Sequence, residues 1–258
     1  MEYKEILRHI VSAEREAAQL IMEAHGVMAE EKSSRRDVVT EYDRTVQELL
    51  TMRLSAALPD AHFFSEEQEK HDDINASALF VIDPIDGTMN FVRGLHQSCL
   101  SVAYAERGEV KAAAIYNPYV DELFTAVRGE GAQLNGRPIR VTGAPLAQSV
   151  VCFGTAPYYE ELTEQTFRVM RRLYGASLDL RRQGAAALDL CSVAAGRAGL
   201  YAELRTSLWD YAAGKLIVEE AGGVCLAEDG SALPFTGEKS SVLAGSRETV
   251  REYLECLR

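Results

Sequence analysis

The sequence predicts a mixed α/β protein built on two sheets, and three patterns carry that prediction. Two amphipathic helical segments open the chain, over residues 3–29 and 41–57. Strand-length segments between Gln97 and Asn135, separated by Arg107-Gly108, Asn117-Pro118 and Arg128-Gly129, read as an antiparallel meander. Beyond Pro145 strands and helices alternate, as in a layered α/β unit. The chain therefore divides into an N-terminal half, 1–145, with two helices on a largely antiparallel sheet, and a C-terminal α/β half, 146–258.

Residues 3–29 set Ile6, Leu7, Ile10, Val11, Ala17, Ala18, Leu20, Ile21 and Met22 three and four apart among charged residues, a helix that should lie against a sheet. Lys32 to Thr40 is a polar, charged connection. In the second helix Val46, Leu49, Leu50 and Leu54 share one face, and Asp43 stands in the first turn, where a carboxylate favours the positive end of the helix. Phe63-Phe64 is a short buried strand ending at Ser65-Glu66-Glu67, followed by a polar excursion over 68–77. The β-prone run Leu79-Phe80-Val81-Ile82 then enters Asp83-Pro84-Ile85-Asp86-Gly87-Thr88. The meander strands cover 98–104, 110–116 and 122–127, and Asn135-Gly136 makes a tight hairpin turn before Ile139-Arg140-Val141. After it come strand 149–154, helix 160–174, strand 177–181, helix 185–196, strand 199–204, helix 207–221, strands 223–227 and 242–245, and a terminal helix over 246–257.

With 258 residues, 47% of them hydrophobic, the chain can bury a large core. Twenty-seven Lys and Arg stand against 39 Asp and Glu, a formal charge of −12, and no basic run exceeds a pair. Nucleic acid is therefore not an expected partner. Five widely spaced cysteines without a Cys-x-x-Cys pair fit reduced thiols in a cytoplasmic protein. Signal peptide, membrane span and His-x-x-x-His zinc motif are all lacking, so neither membrane nor zinc chemistry is expected.

The chemistry concentrates where the apolar run meets Asp83. Asp83 and Asp86 leave one Pro-stiffened strand end and approach one locus, which two bare carboxylates resist and a divalent cation permits. Oxygen donors with no His or Cys nearby suit Mg²⁺, and the Ile85 carbonyl is a further ligand. Gly87 allows a backbone closed to other residues, and Thr88 brings a hydroxyl. An Asp-Pro turn closing a hairpin is the plainer alternative for this stretch, as a solvated loop is for Glu66 and Glu67.

The string Asp83-Pro84-Ile85-Asp86-Gly87-Thr88 with Asn90-Phe91, the segment Trp209-Asp210-Tyr211-Ala212-Ala213-Gly214 leading into Glu219-Glu220-Ala221-Gly222-Gly223, and Phe64-Ser65-Glu66-Glu67 together resemble the inositol monophosphatase family of Mg²⁺-dependent, lithium-sensitive phosphatases. The resemblance extends from about Lys32 to the C-terminal helix and implies a five-layer α-β-α-β-α sandwich of the inositol monophosphatase/fructose-1,6-bisphosphatase type. It implies two Mg²⁺ ions: Glu66, Asp83 and the Ile85 carbonyl on the first, Asp83, Asp86 and Asp210 on the second. Lys32 and Asp37 fall where the family has a mobile loop contributing to a third, weaker ion, although a solvated linker fits them as well.

The same resemblance makes Thr88 and Glu66 the groups that orient and deprotonate a water, Asp43 the partner of Thr88, and the Gly87 and Thr88 amides the phosphate cradle. It places Gly184 and Ala185 beside the substrate, Ala185 where many relatives carry a hydroxyl, and Glu203 on ring hydroxyls, though an exposed acid at a strand end reads equally. Arg205 follows nearby as a contact for a second anionic group, and Trp209 is expected in the core beside Asp210. The expected reaction is hydrolysis of a small phosphomonoester, first of all myo-inositol 1-phosphate. Fructose 1,6-bisphosphate, 3′-phosphoadenosine 5′-phosphate and histidinol phosphate are alternatives, as is a non-catalytic metal or phosphometabolite-binding protein. A homodimer is the assembly the resemblance suggests.

Overall fold

The computed structural model describes residues 1–257. Helix α1 (Tyr3–Met22) is followed by an antiparallel hairpin, β1 (Ala29–Ser34) and β2 (Asp37–Thr40), and then by α2 (Glu41–Ala57). Two expectations are corrected here. The first helix stops at Met22, short of Gly26, and residues 29–40 pair as strands, Ala29 opposite Thr40 and Glu30 opposite Val39. This hairpin joins neither main sheet, and only Val39 and Thr40 at the end of β2 are buried, consecutive residues that give no alternation to read. Where β2 meets α2, the Thr40 hydroxyl accepts the Tyr42 and Asp43 N–H groups while Asp43 accepts from Thr40, a reciprocal cap.

The first main sheet runs in sequence order through β3 (His62–Ser65), β4 (Leu79–Asp86), β5 (Cys99–Glu106), β6 (Glu109–Asn117), β7 (Glu122–Val127), β8 (Gly131–Leu134) and β9 (Arg137–Pro138). Only β3 and β4 are parallel; the other neighbours are antiparallel. A short helix, α3 (Thr88–Val92), intervenes between β4 and β5. Asn135 and Gly136 take φ of 50° and 75° in the expected hairpin turn. The second sheet contains β10 (Val150–Phe153), β11 (Asp179–Arg181), β12 (Leu200–Thr206), β13 (Val224–Leu226) and β14 (Ser240–Gly245), ordered β11-β10-β12-β14-β13. Its helices are α4 (Thr163–Ala176), α5 (Ala186–Ala194), α6 (Leu208–Glu220) and α7 (Arg247–Leu257).

Three apolar clusters separate five layers. Ile6, Ile10, Val46 and Leu50 of α1 and α2 pack on Phe80 and Ile82 of β4. Leu79 and Val81, on the opposite face of that strand, join Leu190 of α5 and Leu216 of α6, which also meet Tyr201 of the second sheet. Val169 of α4 and Val250 of α7 cover that sheet's outer face with Leu200 and Leu243. The order is α1/α2, first sheet, α5/α6, second sheet, α4/α7, the expected α-β-α-β-α sandwich. Because β4 is covered on both faces, all eight of its residues are buried, and its sequence is a continuous apolar run until the acids. Pairing with β5 slips between Asp83 and Asp86, where Pro84 has no N–H to give, so the strand bulges as it delivers both carboxylates. No described helix is long and apolar enough to cross a membrane.

Candidate active site

Four elements aim oxygen atoms at one cavity of about 410 Å³. Glu66 follows β3, Asp83 and Asp86 end β4, Asp210 lies in the first turn of α6, and Ile85, Gly87 and Thr88 line the same space. Asp83 is 2% exposed and its Oδ1 has no hydrogen-bond partner. Burial foremost, then the Glu66, Asp86 and Asp210 carboxylates, push its pKa well above the usual range. Burial likewise raises Asp86 to about 7 against the pull of the Ala187 and Ala186 N–H groups, with Glu66 adding to the rise. Asp210 is driven well up by burial and Asp86, opposed by the Ser207 N–H at 2.6 Å. Glu66 is raised by burial although the Lys32 ammonium stands 3.0 Å away.

Uncompensated carboxylates in one pocket cost several kcal/mol. An all-oxygen donor set with a buried, unpartnered Asp83 oxygen fits a hard divalent cation, Mg²⁺ in particular. Among the described residues no group of three or more His, Cys, Asp or Glu encloses an ion as the side chains stand. Three of the acids turn to protein donors instead: Glu66 to Lys32, Asp86 to the Ala186 and Ala187 amides at 3.3 and 2.6 Å, and Asp210 to Ser207.

Gly87, at φ 87°, precedes Thr88 and turns β4 into α3. The Thr88 hydroxyl lies 3.2 Å from Asp43 Oδ1 and 3.2 Å from the Ile85 carbonyl. Asp43 is fully buried, and its other oxygen accepts from the Thr40 amide at 2.7 Å and hydroxyl at 2.5 Å. One carboxylate in the first turn of α2 therefore both completes the reciprocal cap with Thr40 and accepts from Thr88. Burial raises its pKa, with the Thr40 hydrogen bonds opposing.

Gly184 lines the cavity, but Ala185 and Glu203 do not. Ala185 is 2% exposed and packs behind Gly87, and the α5 amides beyond it are taken by Asp86. Glu203 accepts from the Ala156 amide at 2.8 Å and the Tyr201 hydroxyl at 2.6 Å, so it anchors the 154–159 loop instead of facing the cavity. Trp209 is only partly buried and forms cavity wall, near the rings of Phe64 and His71. Asp37 and Lys32 also line the cavity.

Asn90 belongs to the motif that begins at Asp83 but has no role assigned from sequence, and the further lining residues have none either. Asn90 is buried and donates to the Gln97 and Gln183 carbonyls at 2.7 and 2.8 Å, tying α3 to the loop before α5. Tyr158, Tyr159, Arg182 and Lys239 also line the cavity. The adjacent tyrosines after Pro157 were the one visible signal.

Comparison with known proteins identifies the family and the fold. The family model described as "Inositol monophosphatase family" matches residues 2–257. The "Nus factor SuhB" of Pasteurella multocida is 39% identical over 223 residues, 86% of this chain and 82% of that protein. The "Inositol-1-monophosphatase" of Rhizobium meliloti is 36% identical over 224 residues, 86% and 83% of the two chains. A solved structure titled "IMPase/NADP phosphatase complexed with Mg2+ and phosphate" aligns with a TM-score of 0.85 at 26% identity, covering 99% of this chain and 94% of the other.

Proposed function

The chain belongs to the inositol monophosphatase family, and we propose that it is a Mg²⁺-dependent phosphatase of small phosphomonoesters, with myo-inositol 1-phosphate as first substrate. The observation that carries this reading is the buried Asp83 carboxylate, one oxygen unpartnered, in the same cavity as Thr88, Glu66, Asp86 and Asp210. Glu66, Asp83 and the Ile85 carbonyl would hold one ion; Asp83, Asp86 and Asp210 would hold a second. Such ions, when bound, neutralise the phosphate and lower the pKa of water. Thr88, held by Asp43, orients the attacking water and Glu66 takes its proton. The new P–O bond forms as the ester P–O bond opens. Gly87 and Thr88 present amide N–H groups at the start of α3 to the phosphate oxygens. In this reading residues 1–145 carry most ligands and 146–258 complete one catalytic unit. All five cysteines are free, which supports a reducing, cytoplasmic setting. A homodimer is the proposed assembly.

Fructose 1,6-bisphosphate, 3′-phosphoadenosine 5′-phosphate and histidinol phosphate are the alternatives within the same chemistry. The relative named as a Nus factor favours a second reading, a metal- or phosphometabolite-binding protein without turnover. Phosphate release from these esters and inositol 1-phosphate, with Mg²⁺ or EDTA, separates the readings. Metal-dependent turnover concentrated on inositol 1-phosphate supports the first. Turnover concentrated elsewhere moves the substrate, and none on any ester favours the second.

A further inference from the structure

Helix α5 lies between the two sheets, and along Ala186–Ala194 every side chain but two is apolar. The exceptions are Asp189, 1% exposed, and Ser192. An apolar side chain of similar size fills such a site at lower cost than a carboxyl, so what Asp189 adds there is hydrogen bonding. Its backbone N–H donates to the Ala185 carbonyl at 3.1 Å, and its Oδ1 accepts from the Gln183 side-chain amide at 2.8 Å. That amide also donates to Ser192 Oγ at 3.0 Å, beside the Cys152 sulfur at 3.9 Å, and Ser192 donates in turn to the Leu188 carbonyl at 3.0 Å. Both N–H groups of the Gln183 amide are thereby committed, which fixes the residue immediately before Gly184.

From Gln183 the link crosses to the first half of the chain. The Gln183 carbonyl accepts from the Asn90 amide at 2.8 Å, and the Gln97 carbonyl accepts from it at 2.7 Å. Asn90 belongs to α3, and the Gly87 turn that starts α3 is pressed between the same two segments: a Cβ there would stand 2.9 Å from the Gln97 carbonyl and 3.3 Å from the Gly184 carbonyl. Further along, the same loop leads to the Ala186 and Ala187 amides that hold Asp86. We propose that Asp189 is a positioning residue for the reaction: through Gln183 and Asn90 it holds α3, with the groups assigned to water and phosphate, against the 183–187 segment. This rests on the phosphatase reading above and adds to it a residue that does not line the cavity. Asp189 acts by keeping donors in place before substrate arrives, which needs an acceptor and not a charge. Burial raises its pKa to about 8 against the hydrogen bonds from Gln183 and Cys152, so a neutral amide is a fair replacement at pH 7.

The test compares Asp189→Ala with Asp189→Asn, whose Oδ1 still accepts from Gln183, by Mg²⁺-dependent phosphate release from inositol 1-phosphate and by amide hydrogen exchange without substrate. Asp189→Ala lowers kcat about tenfold, less than the roughly 100-fold that a displacement of about 1 Å costs. It also speeds exchange in α3, across the fold, as well as in 183–189. Asp189→Asn recovers both kcat, to within about threefold of the native protein, and the protection of α3. A merely structural role leaves the kcat of the folded Ala variant within about twofold of native or confines the faster exchange to 183–189; either result overturns the proposal, as does an Asn variant as slow as the Ala variant. If Asp189→Ala does not fold, Gln183→Leu breaks the link from the loop side, with the same two outcomes expected and the same two against. If the native protein releases no phosphate from any ester, the phosphatase reading fails, and exchange in α3 decides the link by itself.

Discussion

Replacing Gly87 with alanine strikes the turn that joins β4 to α3 and carries the amides assigned to phosphate. At φ 87° an L-residue is strained by about 1–2 kcal/mol. An added Cβ would stand 2.9 Å from the Gln97 carbonyl, 3.1 Å from the Ala185 Cβ and 3.3 Å from the Gly184 carbonyl. Two of these neighbours are backbone and the third a methyl that cannot rotate away, so overpacking adds about 1–3 kcal/mol. The combined loss of roughly 2–5 kcal/mol lowers Tm by roughly 5–20 °C in a protein of this size. Relief of the clash shifts Thr88 and the α3 amides, and a displacement of about 1 Å costs roughly 100-fold in rate. Thermal melting and Mg²⁺-dependent phosphate release at 25 °C measure the two effects separately. A variant that melts within 2 °C of the native protein and keeps a third of its activity would refute the reasoning.

Three further outcomes are expected. Thr88→Ala loses about 100-fold or more in kcat, yet its stability stays within about 1 kcal/mol because Asp43 keeps its Thr40 hydrogen bonds; an active variant would remove Thr88 from the water. Glu66→Gln, which frees Lys32 from an ion pair, should fold normally and lose turnover, and full activity with intact circular dichroism would displace Glu66 from its role. Glu14 is fully buried, neither carboxylate oxygen has a partner, and burial raises its pKa well above the usual range. The native state therefore keeps this proton to higher pH than the unfolded chain, whose Glu titrates near ~4.3, and stability falls as pH rises above that value. Urea unfolding should find Glu14→Gln more stable than the native protein at pH 8, the gap closing toward pH 5; parallel pH slopes would show that Glu14 is not charged at a cost.

The sequence made the layers legible because burial leaves a period. The helix over 41–57 is legible because Val46, Leu50 and Leu54 share a face that the fold buries and Asp43 stands in its first turn. The meander showed through its turns. The hairpin over 29–40 did not, because its strands pair only with each other and carry charges on a peripheral ribbon. Within the site, Asp83 and Asp86 were legible from local sequence, where an apolar strand ends in acids. Contacts made across the fold were not. Asp86 reaching the amides of Ala186 and Ala187 spans about a hundred positions, and Glu203 turning to Ala156 depends on how a loop folds back over β12. Local sequence announces a strand end; it does not announce which backbone N–H groups a distant loop will offer.

Whether the buried carboxylates are a catalytic cation site is read most directly from native protein and Asp83→Asn, melted with Mg²⁺ and with EDTA while phosphate release from inositol 1-phosphate is recorded on the same samples. Mg²⁺ should stabilise the native protein by about 2.7 kcal/mol at a hundredfold excess over Kd and support turnover. Asp83→Asn should melt higher than the native protein in EDTA, since an unpartnered buried charge is gone, gain little from Mg²⁺, and lose turnover by at least about 100-fold. A native protein that melts identically with and without Mg²⁺, together with an Asp83→Asn variant that still releases phosphate, would contradict the assignment.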